Sequence, residues 1–238
     1  MGLQNSKWKY DEVYPNSPLK EVAFEIRFPG RMEIECQRHL FHNEIITEYP
    51  KIYVPTAHEG KAMALTHYRF RDEQDNETVM LALNSFGFST NNYEGHEQFI
   101  YKISGLIEKL TALYPIDEIT RLGWRYINII PFVREKGAIP LDNFFNVKIP
   151  YTDLENVEQI ALMYKSRLDK GFININLSEL KRHDGEEALL LDIDCALEHN
   201  LSIKGIEEST DYVHKKGREV FENLITDDYR NYLRGGEI

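Results

Sequence analysis

EITRLGWRYINIIP, residues 118–131, is the stretch from which the fold can be worked out. On an extended chain, Trp124 and Tyr126 would lie on one face of this stretch. Arg121 and Arg125 would lie on the opposite face. Alternation with a period of two is typical of a strand that buries one face. The stretch therefore predicts a long, half-buried β-strand with two arginines on its polar side.

The same alternation occurs near the N-terminus in KEVAFEIRF, residues 20–28. Here the polar face carries Glu21 and Glu25, and prolines stand close to both ends of the stretch. If this strand is the neighbour of the first, Glu21 lies opposite Arg125 and Glu25 opposite Arg121. Opposite charges paired across two strands contribute about 0.2–1 kcal/mol each. The arginines are then partners of the sheet's own carboxylates.

The remaining elements repeat in a fixed order along the chain. Apolar residues at spacings of three and four predict helices over 33–48, 96–114 and 209–226, and a short helix is expected near 141–145. Alternation and turn residues predict further strands over 61–71, 78–84, 86–91, 157–166, 171–177 and 188–197. Each half of the chain is thus a strand, a helix, three strands and a long helix.

This order predicts an α+β fold that is built from two similar halves, a pseudo-duplication. The halves span residues 1–115 and 116–238 and form one continuous domain. A curved, mainly antiparallel sheet is expected, with the two long helices packed on one face and the other face open. By analogy with duplicated folds, the first strands of the halves meet at the centre.

Bulk composition excludes several classes of protein. The 238 residues carry a net charge of −11, which disfavours binding to nucleic-acid phosphates. The two cysteines fit no disulfide framework, and the expected location is the cytoplasm. No segment is apolar over the roughly 20 residues that span a bilayer, so no membrane association is expected.

The open face of the predicted sheet holds the candidate site. Asn174 and Asn176 alternate with apolar residues in one strand, and Asp192 and Asp194 do so in the next. Together with Arg121, Arg125, Glu21 and Glu25, they form a polar surface. The arginines suit a carboxylate or phosphate, and the aspartates suit a divalent metal ion. The alternative is a solvated face whose charges pair with one another.

Other chemistry-bearing residues give weaker signals. Cys36, His39 and His42 share a predicted helix, but their spacing does not close a metal site. His96, at a helix start, is interpreted as an ordinary surface histidine, and His214 has no carboxylate partner in the sequence. Strong enzymatic motifs are absent, so no catalytic residue and no cofactor are predicted.

Three short motifs resemble a sporadically distributed family of bacterial proteins of about this length. They are Pro-x-x-Glu-Val at residues 18–22, the segment with Arg121, Gly123, Arg125, Tyr126 and Asn128, and a late helix with His214, Phe221 and Leu224–Thr226. The resemblance spans nearly the whole chain and implies that the strands at 20–28 and 118–131 belong together. It implies an accessory role, such as phage defence or toxin neutralisation, and carries no biochemical function.

Two functional hypotheses follow. The first is a non-enzymatic cytoplasmic protein that binds another protein, a basic one in view of the chain's acidity; a homodimer is left open. The alternative is a protein that handles a small anionic ligand or a nucleotide, such as a metal-assisted hydrolase. It would use Arg121 and Arg125 for the anion and Asp192 and Asp194 for the metal.

Overall fold

The structure is a computed structural model that describes residues 12–55, 66–147, 157–181 and 185–237. The first half holds β1 (Leu19–Arg27), α1 (Met32–Ile45), β2 (Lys51–Tyr53), β3 (Tyr68–Arg71), β4 (Glu77–Ala82), β5 (Ser85–Thr90) and α2 (His96–Leu113). The second half holds β6 (Glu118–Ile119), β7 (Arg121–Phe132), α3 (Leu141–Phe144), β8 (Ala161–Leu168), β9 (Gly171–Lys181), β10 (Glu187–Leu197), β11 (Leu201–Ser202), α4 (Ile206–Leu224) and α5 (Asp227–Leu233).

Nine strands form one open sheet in the order β2-β3-β4-β5-β1-β7-β10-β9-β8. Every neighbouring pair is antiparallel, and β6 pairs separately with β11. The predicted α+β class with an antiparallel sheet is confirmed. β1 and β7 are hydrogen-bonded neighbours in the middle of the sheet, with four strands beyond β1 and three beyond β7.

Several element boundaries differ from the sequence-based prediction. The strand predicted over 118–131 is interrupted at Thr120, whose backbone N–H donates to the Arg27 carbonyl. The helix predicted over 209–226 spans Ile206–Leu224 instead, and the separate α5 follows it. Residues 61–65 of the strand predicted over 61–71 lie outside the described residues. The break after α4 occurs at Thr226, whose hydroxyl caps α5 by accepting from the Tyr229 N–H.

Aromatic contacts fix the helices against the sheet. Phe99 of α2 packs on Phe88 and Trp124, with ring centroids 5.2 and 4.9 Å apart. Phe41 of α1 contacts Phe70 and Phe86. All six rings are buried, and such aromatic pairs stabilise a core beyond the area that they bury. The contacts of α2 with Trp124 bring the first residue of that helix, His96, close to β7.

The register between β1 and β7 corrects one prediction. Arg125 lies opposite Ala23, not Glu21, and Arg121 lies opposite Arg27, not Glu25. The observed register differs from the predicted one by two residues. A shift of two leaves every side chain on the same face, so alternation alone cannot distinguish the two registers. Glu21 lies instead opposite Ile127.

Candidate functional site

The face of the sheet that carries Arg121, Gly123 and Arg125, here called the arginine face, is a network of ion pairs. Nη1 of Arg121 donates to Glu25 Oε1 at 2.9 Å, and its Nη2 lies 3.4 Å from Asp194 Oδ2. Glu25 is diagonal to Arg121 across the two strands, because it lies directly opposite Gly123. Glu25 and Arg121 therefore do pair, as predicted, but diagonally and not as directly opposite residues.

Arg125 makes the most regular pair on this face. Its Nε and Nη2 donate to the two carboxylate oxygens of Asp192 at 2.8 and 2.6 Å, a bidentate geometry. The hydrogen bonds to Asp192 raise the pKa of Arg125. Asn176 lies opposite Asp192, and Asn174 lies opposite Asp194. The predicted polar residues of β9 and β10 are thus brought together.

Gly123 makes the arginine face possible in its observed form. A Cβ atom at this position would lie 2.7 Å from Nη1 of Arg121. The Arg121 side chain therefore lies across the glycine to reach Glu25 and Asp194. All three carboxylates of the network, Glu25, Asp192 and Asp194, and both arginines have partners inside the chain. The arginine face is a surface whose charges already neutralise one another.

Metal binding by Asp192 and Asp194 stays a prediction. Each carboxylate faces a guanidinium group, and burial raises the pKa of Asp194 against the opposing effect of Arg121 and Arg125. Among the described residues, no group of three or more His, Cys, Asp or Glu side chains is arranged to hold a metal ion. A cation at these aspartates would have to displace both arginines.

A second candidate site is a cavity beside α2 and α4, here called the histidine pocket. It encloses about 200 Å³ and is partly open to solvent. Four segments form its walls: the chain before β1, the connection from β5 to α2, the middle of β7, and α4. Its polar lining includes Tyr14, Tyr93, His96, Asn128, His214 and Arg218.

Two stacked imidazole rings form part of the pocket wall. His96 and His214 lie face to face, with centroids 3.8 Å apart and planes 7° from parallel. The Tyr126 hydroxyl is hydrogen-bonded to Nδ1 of His214. Trp124 packs against both rings at 5.4–5.5 Å, and its buried indole N–H has no acceptor within the described ranges. Trp124 and Tyr126 therefore hold the pair in place.

His214 is a neutral residue in this environment. Burial, together with charge repulsion from the neighbouring His96, Arg218 and Lys215, lowers its pKa to about 2. Placing a second positive charge against the stacked His96 ring is unfavourable for the same reason. A neutral imidazole can accept a hydrogen bond at one nitrogen and donate at the other, which suits it to a polar ligand.

A buried carboxylate anchors the wall next to the histidines. Glu222, whose side chain is fully buried, accepts from the Tyr14 hydroxyl at 2.8 Å. It is also ion-paired with Arg218 at 2.8 Å and with Arg230 at 3.0 Å. The Arg218 guanidinium lies over the Tyr14 ring, 4.8 Å from its centroid. Two guanidinium groups therefore share one buried carboxylate at the pocket.

Gly217 sets the distance between α4 and the sheet. A Cβ atom there would lie 2.9 Å from Cε2 of Tyr126. Glycine inside a helix costs about 1 kcal/mol relative to alanine, so its presence needs a reason. The reason is the close approach that brings His214 within hydrogen-bonding distance of Tyr126.

Sequence reasoning missed this pocket. His96 was predicted to be an ordinary surface histidine, which is wrong, because its ring is stacked on His214 and largely covered. The available signal was Gly217 inside the helix that carries His214 and Phe221, which indicates a close contact. The contributing segments are distant in sequence, so no local motif marks them.

No family model and no curated protein matches this chain. Across the described ranges, no helix combines the length and the apolar character needed to cross a membrane.

Proposed function

We propose that the protein binds a small anionic ligand in the histidine pocket. The observation that supports this is the convergence of Arg218 with the stacked His96 and His214 in one cavity. A guanidinium group binds carboxylates and phosphates through charge-assisted hydrogen bonds. A concave site with a few convergent polar groups and a strongly perturbed histidine is the usual setting for ligand binding.

The arginine face is less suited to the same ligand. Arg125 already holds Asp192 bidentately, and Arg121 holds Glu25, so an anion must compete with internal carboxylates. In the pocket, Arg218 and Arg230 share Glu222, and the second carboxylate on Arg230, Asp227, is exposed. Arg218 therefore shares its carboxylate with a second guanidinium, whereas Arg125 pairs with both oxygens of Asp192. A metal-assisted hydrolase that binds its anionic ligand on the arginine face is therefore less well supported than anion binding in the histidine pocket.

Intrinsic fluorescence tests the proposal, because Trp124 contacts both histidines. In a Trp8→Phe background, Trp124 is the sole tryptophan. Inorganic phosphate and small carboxylates such as acetate, malonate and citrate are titrated, and affinities are confirmed by calorimetry. At least one is expected to bind, with affinity about tenfold weaker or more in Arg218→Gln, as expected for a lost charge-assisted hydrogen bond.

The matched control is Arg125→Gln, which removes an arginine of the arginine face. This change is expected to leave the affinity for the anion unchanged. Thermal melts establish that both variants are folded before the titrations. Equal affinities of Arg218→Gln and the parent protein, or no binding by any of the anions, would contradict the proposal.

We also propose that the two halves are structural duplicates with both long helices on one face. The sheet order supports this, since β5-β1 and β10-β7 occupy equivalent places about the central β1–β7 pair. Trp124, which contacts α2, and Tyr126, which contacts α4, are two residues apart on β7. We further propose that the chain is related to the sporadically distributed bacterial family and that it is located in the cytoplasm.

Protein binding is the second candidate function. The net charge of −11 supports it, because an acidic surface accelerates association with a basic partner. An accessory role in phage defence or toxin neutralisation fits such a partner. Affinity capture from the native host at low and high salt tests this: a basic partner is expected to be retained only at low salt.

A further inference from the structure

The two edges of the nine-stranded sheet differ in length. At one edge, β2 has three residues, and its Lys51 is tied back to Asp75 and to the Glu73 carbonyl. At the other edge, β8 has eight residues and, within the described ranges, pairs with β9 on one side only. A long free edge presents backbone N–H and C=O groups to which an extended segment can add. β8 is therefore the edge at which a further strand can pair.

The side chains that β8 places on the arginine face are apolar at one end and cationic at the other. Met163, Lys165 and Arg167 alternate along the strand, and all three residues are exposed. The strand itself contains no acidic residue. The turn that follows adds Asp169 and Lys170, whose charges cancel. In a chain of net charge −11, this edge is a local basic stripe.

A strand of neutral residues separates these cations from the ion pairs of the arginine face. Lys165 lies opposite Asn174 on β9, and Asn174 lies opposite Asp194 on β10. Two strand spacings, about 10 Å, therefore lie between the backbones of Lys165 and Asp194. Asp194 is already paired with Arg121, and the Lys165 ammonium group lies over the Phe172 ring, 3.9 Å from its centroid. The carboxylates of the network thus leave the edge cations without a counter-charge.

The charges of the edge select its partner. Neither Lys165 nor Arg167 is paired with a carboxylate of the described ranges, whereas the nearby Arg134 contacts both Glu179 and Glu187. Like charges on paired strands are destabilising, and opposite charges are stabilising. A second copy of β8 would bring two more cations to the same edge, so self-pairing is disfavoured. An acidic strand is favoured by the same rule.

We propose that β8 binds a short acidic segment of another protein, which adds to the sheet as a further strand. Two Asp or Glu residues, two positions apart in that segment, lie next to Lys165 and Arg167, and an apolar residue lies next to Met163. On the opposite face, the intervening apolar residues cover Tyr164, which is 60% exposed. Backbone hydrogen bonds supply affinity, and the alternating side chains supply specificity. This site does not depend on anion binding in the histidine pocket.

Peptide binding to the full chain tests the proposal. The probe is a blocked, fluorescently labelled peptide, Gly-Glu-Val-Glu-Val-Leu-Gly, and the comparison peptide has lysine in place of both glutamates. In anisotropy titrations at low salt, the acidic peptide is expected to bind with a Kd below about 1 mM, and the lysine peptide at least about tenfold more weakly. Amide hydrogen exchange is expected to slow over Ala161–Leu168 when the acidic peptide is added.

Charge reversal tests the role of the two cations. Lys165→Glu combined with Arg167→Glu is expected to weaken binding of the acidic peptide by about tenfold or more and to make the lysine peptide the tighter ligand. The control is Lys136→Glu combined with Lys204→Glu, which changes the net charge equally at exposed lysines outside β8. It is expected to change the affinity by less than about twofold. Thermal melts establish first that each variant is folded.

Four results would overturn the proposal. The first is no binding of the acidic peptide at millimolar concentration, and the second is equal binding of the two peptides. The third is an affinity that charge reversal at Lys165 and Arg167 leaves unchanged. The fourth is a dimer of the chain, seen by sedimentation equilibrium without peptide, whose formation slows exchange over Ala161–Leu168. That result would make a second copy, and not an acidic segment, the occupant of the edge.

Discussion

The arginine face and the histidine pocket both hold arginine–carboxylate pairs, but in opposite surroundings. On the arginine face, the Arg125 side chain is 49% exposed in its pair with Asp192. Beside the pocket, Arg230 and Glu222 are 5% and 0% exposed. Exposed pairs contribute about 0–1 kcal/mol, whereas breaking a buried pair costs about 3–5 kcal/mol. Equivalent contacts therefore have unequal consequences.

The two regions also differ in how their residues are assembled. The arginine face is made from alternate residues of adjacent strands, so its members are visible in the sequence pattern. The pocket takes its side chains from four separate segments, and Tyr14 and Glu222 come from opposite ends of the chain. The arginine face is thus the region that the sequence predicts more directly, and it is also the region whose charges are already paired.

Removing the buried carboxylate is expected to have the largest effect. Glu222→Gln leaves Arg218 and Arg230 without their shared anion and should lower the free energy of unfolding by about 3–5 kcal/mol. Urea denaturation measures the loss. The matched variant on the arginine face is Asp192→Asn, for which a loss of about 0–1 kcal/mol is expected. Equal losses for the two variants would remove the distinction between the regions.

The stability of the protein should also depend on pH, through the buried His214 of the histidine pocket. Unfolded histidine has a pKa near 6.5, whereas that of His214 is lowered to about 2 by burial. The unfolded state therefore takes up the proton first, so stability falls as the pH drops below about 6.5. The expected loss between pH 7.5 and 5 is about 2 kcal/mol from this residue.

Comparison of two glutamine variants isolates that contribution. His214→Gln should lose about 2 kcal/mol less than the wild-type chain between pH 7.5 and 5. His39→Gln, at an exposed residue of α1, should follow the wild type. Burial also lowers the pKa of His67, which adds the same slope to all three proteins and cancels in the comparison. Parallel pH curves for all three would show that His214 is not buried as described.

The sequence predicts the strands of the arginine face because alternation marks half-buried strands directly. Arg121, Arg125, Asp192 and Asp194 all lie on the expected face, and Asn174 and Asn176 lie opposite the aspartates. The predicted register of β1 against β7 differs from the observed one by two residues. A shift of two changes which polar groups meet without changing which face they occupy, so only the three-dimensional packing selects it.

The pocket could not be predicted from the sequence for a different reason. His96 and His214 belong to different helices, and their stacking depends on how closely α4 approaches β7. That distance is fixed by tertiary packing and by one glycine, Gly217, rather than by any local propensity. A glycine within an amphipathic helix was the only local hint, and it indicates a close neighbour without naming it.

Gly217 provides the smallest and most specific test. In Gly217→Ala, the new Cβ lies 2.9 Å from the Tyr126 ring, and that ring is packed and cannot yield easily. Overpacking costs about 1–3 kcal/mol and the better helix propensity of alanine returns up to about 1. The net expectation is a loss of about 1–2 kcal/mol in urea denaturation, with weaker anion binding in the pocket.

Gly105→Ala is the matched control, because Gly105 lies inside α2 and a Cβ there meets no atom within 4 Å. That change should stabilise the protein by about 0.5–1 kcal/mol and leave anion binding unaltered. The same substitution would then change the free energy of unfolding in opposite directions in the two long helices. That result would show that the contact of α4 with Tyr126, and not helix propensity, selects glycine at position 217. If both alanines stabilise the chain equally, α4 does not depend on this contact, and the histidine pocket is looser than its geometry indicates.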